Sequence, residues 1–269
     1  MKKDAGKSHS LRIVGLFCLA VAILIGVSIF FKIGILVSKS IFDGQHRFTF
    51  IQKGNPVRVY SFAPDIKTIS ILDVAGDNTS SDHLTKDLIK IPIDASLSSG
   101  GIVGSFAKGS VQDYLKYLFF HYSDIKTEMT PVDIFRLWLF ASGVDTSNIT
   151  SEKISLSDIS ESNKLDKLVT QLFSDATLQK ENMSIQVING TGISGWGSDF
   201  GQRLTNSGGN VISIITAHID VPKTSIRYFG QHSYTLKKIE KIMKREAMPM
   251  QKHGISDIVI TLGKDEIKK

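Results

Sequence analysis

One cysteine, Cys18, occurs in 269 residues, and it lies inside an apolar run. A disulfide within the chain and a cysteine-based metal site are therefore both excluded. Net charge is nearly as scarce. The formal charge is +6, but Lys2, Lys3, Lys7 and Arg12 against Asp4 put +3 of it in the first twelve residues. What remains is spread over the rest of the chain and makes no electrostatic footprint for a nucleic-acid partner. The short signatures of common catalysis are missing too. There is no H-E-x-x-H pair and no G-x-S-x-G elbow, and the glycines and lysine of 101–110 are wrongly spaced for a P-loop. The seven histidines are scattered without paired spacing, so none marks a metal centre.

What the chain does have begins with 19 uncharged residues at 13–31, IVGLFCLAVAILIGVSIFF. As a helix this run spans about 28 Å, close to a hydrocarbon core of roughly 30 Å. The following KIGILVSKS offers no small-x-small cleavage site. We therefore expect an uncleaved transmembrane signal anchor rather than a cleaved signal peptide or a core helix. The basic cluster precedes the run, which predicts residues 1–12 as a cytoplasmic tail and everything after Lys32 as extracytoplasmic.

Residues 45–178 read as one α/β or α+β domain. Runs at 58–62 and 68–72 are β-branched and aromatic, and Pro64 and Asp65 between them signal a hairpin. A helix is predicted over 111–120. Another begins with Thr130 as N-cap, Pro131 in the first turn and Asp133 beside it, and ends before Gly143. A third covers about 161–174, where Leu165, Leu168, Val169, Leu172 and Phe173 share one face. Trp138 is expected in the core. A short linker near 175–182 then leads to residues 183–269, which carry a β-α-β-β-α-β pattern. Its apolar strands include Ile185, Val187 and Ile188, then Val211, Ile212, Ile214 and Ile215, then Ile258, Val259, Ile260 and Leu262. Helices over 193–206 and 236–245 complete it. The cations of the second (Lys237, Lys238, Lys241, Lys244 and Arg245) are expected on a solvated face, with contact to anionic wall polymers or lipid headgroups as the alternative.

Three landmarks mark the C-terminal part: Val187-Ile188-Asn189-Gly190-Thr191-Gly192, Thr224-x-Ile226-x-Tyr228, and Ile258-Val259-Ile260-x-Leu262-Gly263-x-Asp265. In this order they resemble the C-terminal domain of LytR-type cell-envelope proteins. Upstream, NPVRVYSFAPDIKTISILDVAGDN resembles the opening of a LytR–CpsA–Psr (LCP) catalytic domain, and LTKDLIKIPID is similar to a later segment of that family. That resemblance implies transfer of lipid-diphosphate-linked glycopolymer to peptidoglycan with Mg²⁺ on the diphosphate. The family's Ser-Ile-Pro-Arg-Asp-Thr motif falls on residues 73–78, and only Asp77 is retained. Gly76 stands where the family has an arginine, and a neutral residue cannot replace a bidentate guanidinium on a diphosphate. Only Arg47, Arg58 and Arg136 remain in the middle region. Asp77 is thus a candidate metal ligand or a turn residue, and no catalytic residue is assigned.

Gly190-Thr-Gly192-Ile-Ser-Gly195 also matches a dinucleotide G-x-G-x-x-G, with Asp220 placed 25 residues on. Some 85 residues are too few for a full dinucleotide fold, so the glycines are read as a tight strand-to-helix turn. That turn could also offer amides to a carboxylate or phosphate. Asn189, Gly190, Thr191, Gly192 and Trp196 are accordingly the candidate ligand-binding residues, with Trp196 either stacking on a glycan or covering the sheet end. The expected protein is a single-pass envelope protein that binds or scaffolds in cell-wall glycopolymer assembly without catalysis. Its expected partners are the cell membrane, peptidoglycan or anionic wall glycopolymer, and other envelope proteins, and it needs no cofactor. The competing reading is an active LCP-type phosphotransferase that uses Mg²⁺.

Overall fold

The computed structural model describes residues 5–54, 56–75, 89–99, 110–155, 162–252 and 254–267. Among these are seven α-helices and two mixed sheets, a mixed α/β fold. Helix α1 (Ala5–Ser38) is longer than the 13–31 run. Its apolar stretch, Val14–Ser38, is long and apolar enough to cross a membrane, and none of it is buried against the chain. It is a candidate transmembrane span and not a core helix. The extension has a plain cause: Ile33, Ile35 and Val37 continue the apolar pattern beyond Lys32, whose long stem can carry its charge to an interface. Residues 5–12 of the expected basic tail also belong to this helix.

The first sheet is built on a meander of β1 (Phe48–Lys53), β2 (Val57–Ala63) and β3 (Thr68–Ala75), antiparallel throughout. The turn between β2 and β3 holds Lys67 in the left-handed region, φ 51°. To this meander are added β4 (Ala95–Ser99), parallel to β1, then β5 (Ile125–Thr127) on one edge and β6 (Ile149–Ser155), parallel to β3, on the other. Strand alternation gives the sheet two different faces. One carries Phe48, Phe50, Tyr60, Phe62 and Ile69 against α2 (Val111–Phe120) and α3 (Pro131–Ser142). The other carries Ile51, Val57, Val59, Leu72 and Val74 against α4 (Ser162–Phe173). This sheet is covered on both sides.

Helix α3 starts where its sequence says it should. Thr130 accepts from the Asp133 amide, Asp133 accepts from the Thr130 amide, and Pro131 fills the first turn. Asp133 does more than cap. Its other oxygen accepts from the Ser40 hydroxyl (2.6 Å) and the amides of Ile41 (3.0 Å) and Phe42 (2.8 Å). Arg136 donates to the Ser40 hydroxyl and the Phe42 carbonyl from the same side. Residues 40–42, directly after α1, are thereby pinned to the first turns of α3.

The expected linker at 175–182 is a helix, α5 (Ala176–Glu181). Asp175 caps it through the amides of Thr177 and Leu178 and also accepts from the Tyr234 hydroxyl at 2.7 Å. At its far end Glu181 accepts from the amides of Tyr234 and Thr235 and from the Thr235 hydroxyl. It thereby satisfies orphan donors at the start of α7 (Tyr234–Met243). The segment acts as a clamp because its acidic residues supply acceptors to a helix nearly 60 positions away.

The second sheet runs in the order β10-β9-β11-β7-β8. Its strands are β7 (Ser184–Asn189), β8 (Asn210–Thr216), β9 (Ser225–Tyr228), the two-residue β10 (Met248–Pro249) and β11 (Ile258–Leu262). Helices α6 (Trp196–Asn206) and α7 pack on one face, over Ile185, Val187, Ile226, Ile258, Ile260 and Leu262. Gly201 allows α6 to come close, since a Cβ there would lie 2.6 Å from the Ile214 side chain. The isoleucines of β8 lie outside the core: Ile212, Ile214 and Ile215 are exposed. β8 is an edge strand with an irregular register beside Ile185 and Gln186, and Ile215 points away from the helices.

Candidate functional site

The predicted glycine turn is closed rather than open. Asn189, Gly190 and Thr191 are buried. The Thr191 amide and hydroxyl donate to Asn189 Oδ1, the Asn189 side-chain amide donates to the Ile193 carbonyl, and the Ile193 amide donates to Thr191 Oγ1. The Gly190 amide donates to the Leu262 carbonyl and its own carbonyl accepts from the Val221 amide. A Cβ at Gly190 would meet Val221 at 2.5 Å. The glycine is there because the segment around Val221 crosses the strand end at that point, which is also where a dinucleotide would have to lie. Gly192, at φ 80°, is exposed but faces the Asp220 carboxylate, which would repel an anion. Asp220 is itself paired with Lys264 at 2.7 Å. Trp196 is partly buried and packs on the second core. The five residues share one turn, and most of its polar groups are spent inside it.

The other landmarks have the same structural logic. Asp265 accepts from the Thr224 amide (2.9 Å) and hydroxyl (2.7 Å), and the Gly263 amide donates back to Thr224 Oγ1. These bonds lace the start of β9 to the end of β11. Burial alone would raise the Asp265 pKa, but the Thr224 donors and the Arg245 guanidinium outweigh it and hold the carboxyl below its usual range.

Gly76 and Asp77, the latter the candidate metal ligand, lie outside the described residues, as does the glycine-rich stretch 101–109. Among the described residues no group of three or more His, Cys, Asp or Glu could hold a metal ion. Asp73, the first position matched to the LCP motif, forms a two-point ion pair with Arg58. That pair raises the Arg58 pKa further. Tyr60 lies under the Arg58 guanidinium and is pushed up to about 12 by burial. Arg136 is held by residues 40–42, as above. Neither arginine is left to clamp a diphosphate.

The third arginine leads to a site that the sequence did not suggest. Arg47 is 7% exposed, and its Nη1 donates to the Ser61 hydroxyl and the Leu172 carbonyl, both at 2.9 Å. Its Nε is buried without a hydrogen-bond partner. Burial lowers its pKa, and the Asp175 and Asp65 charges work against that fall. Arg47 lines a cavity of about 160 Å³ between residues 41–48 and α7, together with His46, Tyr234, Lys237, Lys238 and Lys241. His46 and Tyr234 stack at 4.1 Å, joining the entrance of the first sheet to the first turn of α7.

The lysine face of α7 is therefore not simply solvated. Lys238 donates to the Arg47 carbonyl and lies 3.8 Å from Asp94, while Lys241 pairs with Asp94 at 2.9 Å and lies over the Phe48 ring. Lys237 remains exposed at the rim. Around the cavity stand four cations against the carboxylates of Asp43 and Asp94, and Asp43 is bonded to His46. Asp175 and Asp65 act on the Arg47 guanidinium as well, so the charges nearly balance, and exposed Lys237 offers a small anion a cation at the rim. Spacing gives no hint of this site, because Arg47 and Lys238 are separated by most of the chain. The only local signals are the His46-Arg47 pair ahead of β1 and the lysines at 237, 238 and 241, where Lys241 follows the other two by four and three residues on α7.

No protein-family model and no curated protein matches the sequence. Among solved structures, the transcriptional regulator yvhJ from Bacillus subtilis overlaps at 14% identity and TM-score 0.32, covering 41% of this chain and 83% of its own. Lin1025 protein from Listeria innocua gives 12% and 0.28 over 41% and 83%. TagV of B. subtilis gives 11% and 0.28 over 42% and 85%. Overlaps this loose determine neither the fold nor the activity of this chain.

Proposed function

We propose that this is a single-pass protein of the cell envelope. In this reading its N-terminus is in the cytoplasm, and the two sheets outside bind anionic wall glycopolymer as a scaffold rather than turning it over. Support for the anchor comes from the uncharged run at 13–31 and the length of α1. Support for the envelope context comes from the resemblance of the three C-terminal landmarks to LytR-type proteins. The observation that carries the binding role is the cavity lined by Arg47, Lys237, Lys238 and Lys241, at whose rim Lys237 stands exposed. Against turnover stand Gly76 in the arginine position and the commitment of Arg58 and Arg136 to structural partners.

The test uses the full chain in detergent with poly(glycerol phosphate) as probe. Lys237→Glu should weaken binding about tenfold or more, since a charge-assisted contact contributes about 1.5–3 kcal/mol and tenfold is about 1.4. Its melting temperature should hold, because Lys237 is exposed. Unchanged affinity would remove the cavity as the binding site. Transfer of glycopolymer from a polyprenyl-diphosphate donor in Mg²⁺ would overturn the scaffold reading in favour of the phosphotransferase.

A further inference from the structure

Away from the basic cavity, the first sheet's outer helices present an apolar surface that the proposed function leaves unused. Phe120, at the end of α2, is 66% exposed, and on α3 Phe135 and Leu139 are 42% and 64% exposed. Trp138 and Phe119 lie partly buried between them. The rings form one connected group: Phe119 meets Phe120 edge-on at 5.4 Å, Phe135 at 5.6 Å and Trp138 at 6.3 Å, and Phe135 meets Trp138 at 5.9 Å. Positions 135, 138, 139 and 142 fall on a single helical face. The only ionisable side chains on α3 are Asp133 and Arg136, and both are turned to residues 40–42. A contiguous aromatic face of this kind, with the exposed Lys116 of α2 at its edge, marks an interaction surface in a water-exposed protein.

Its location says what the partner is. Asp133 and Arg136 bind Ser40, which is two residues beyond the end of α1 and so within about 7 Å of it along the chain. α1 also touches α3 directly. Taking α1 as the membrane span, its apolar stretch of 25 residues is about 37 Å long, more than a hydrocarbon core of about 30 Å. The excess brings α3 to the headgroup zone, where Trp and Phe partition favourably because a ring can bury its apolar body beside polar groups. We propose that the Phe120–Phe135–Trp138–Leu139 face is a second membrane contact, seated in the interface of the bilayer that α1 crosses. The pin at residues 40–42 holds it there, so the first sheet lies against the membrane instead of swinging on a tether. This rests on the anchor reading and is independent of the glycopolymer reading.

The two tryptophans make the test direct. With Trp196→Phe, Trp138 becomes the sole tryptophan of the full chain. In phosphatidylcholine vesicles whose acyl chains are brominated near the headgroup end, Trp138 should lose most of its fluorescence relative to unbrominated vesicles. Phe135→Ser with Leu139→Ser should restore it, while the protein still resists alkaline carbonate extraction. If Trp196→Phe misfolds, the wild-type signal minus that of Trp138→Phe measures the same quenching. An unquenched Trp138 in a protein that stays in the membrane pellet overturns the proposal and leaves the anchor standing. Extraction into the soluble fraction overturns both. Quenching that survives the double serine variant, or a dimer that shields Trp138 from lipid, also overturns it.

Discussion

The two sheets bury their apolar strands in different ways. The first is sandwiched, with an aromatic face under α2 and α3 and an aliphatic face under α4. The second has both helices on one side, and its other face carries Gln186, Ile188, Val259, Thr261 and the exposed Ile215. The second sheet's strands are the richer in isoleucine and valine, 11 of 24 residues against 9 of 36 in the first, although they bury fewer of them on two sides. Composition alone does not say whether a strand is central or marginal. In the first sheet the core supplies cohesion. In the second, short polar ties such as Thr224–Asp265 share the task with a smaller core.

The sharpest way to break this contrast is a matched pair of truncations. Leu72→Ala, at a fully buried position on the α4 side, should cost about 3 kcal/mol, because the cavity it leaves cannot collapse between two layers. Ile215→Ala on the open face of β8 should cost no more than about 0.5 kcal/mol. Denaturant unfolding of the full chain in detergent checks both. Similar costs would mean that Ile215 is packed as tightly as Leu72.

Next in size is the pin between α1 and the first sheet. Asp133→Ala removes the reciprocal cap of α3 and strands the amides of Ile41 and Phe42, at a cost of about 2 kcal/mol. Asp133→Asn, which keeps one acceptor oxygen, should lose less. Protease digestion at residues 38–44 should speed up in the alanine variant only. Equal protection of both variants would show that Arg136 holds the segment unaided.

A smaller effect distinguishes the sheets by pH. Asp265 and Glu181 are both held below the ordinary carboxylate range: burial pushes them up, and donors from Thr224 or from Tyr234 and Thr235 outweigh it. A lowered folded pKa contributes stability above the unfolded value, near 4, and that stability is lost as the pH falls through the folded one. Acidification below about pH 4 should therefore loosen β9, β11 and α7 before β1–β3. Amide hydrogen exchange should show it, and Asp265→Asn should flatten the acid response of β9 and β11. First-sheet amides exchanging earlier would contradict the assignment.

Much of the local structure was legible. The Thr130-Pro131-Asp133 signal places α3 at Pro131–Ser142, and the spacing of Leu165, Val169 and Leu172 places α4, because caps and periodicity act over a few residues. Three features were decided by distant residues. The linker is a helix because Glu181 caps α7, the β8 isoleucines are exposed because β8 became an edge, and Lys238 is drawn from solvent by Asp94 and the Arg47 carbonyl. The candidate turn was placed correctly as a turn. Its side-chain bonds are local, among Asn189, Thr191 and Ile193, but the closure over Gly190 depended on Val221, which no local pattern ties to it.

The sequence by itself determined the elements: an apolar helix of membrane length, two sets of strands, and the helices between them. These follow from periodicity, capping and chain entropy, which act among neighbours. Only the tertiary structure decided which charges are spent and which are left to act. Arg58 is neutralised by Asp73, whereas Arg47 is buried with one donor unused beside three lysines from the far end of the chain. That outcome is electrostatic and depends on which groups share a low-dielectric space, and two sheets must meet before that space exists.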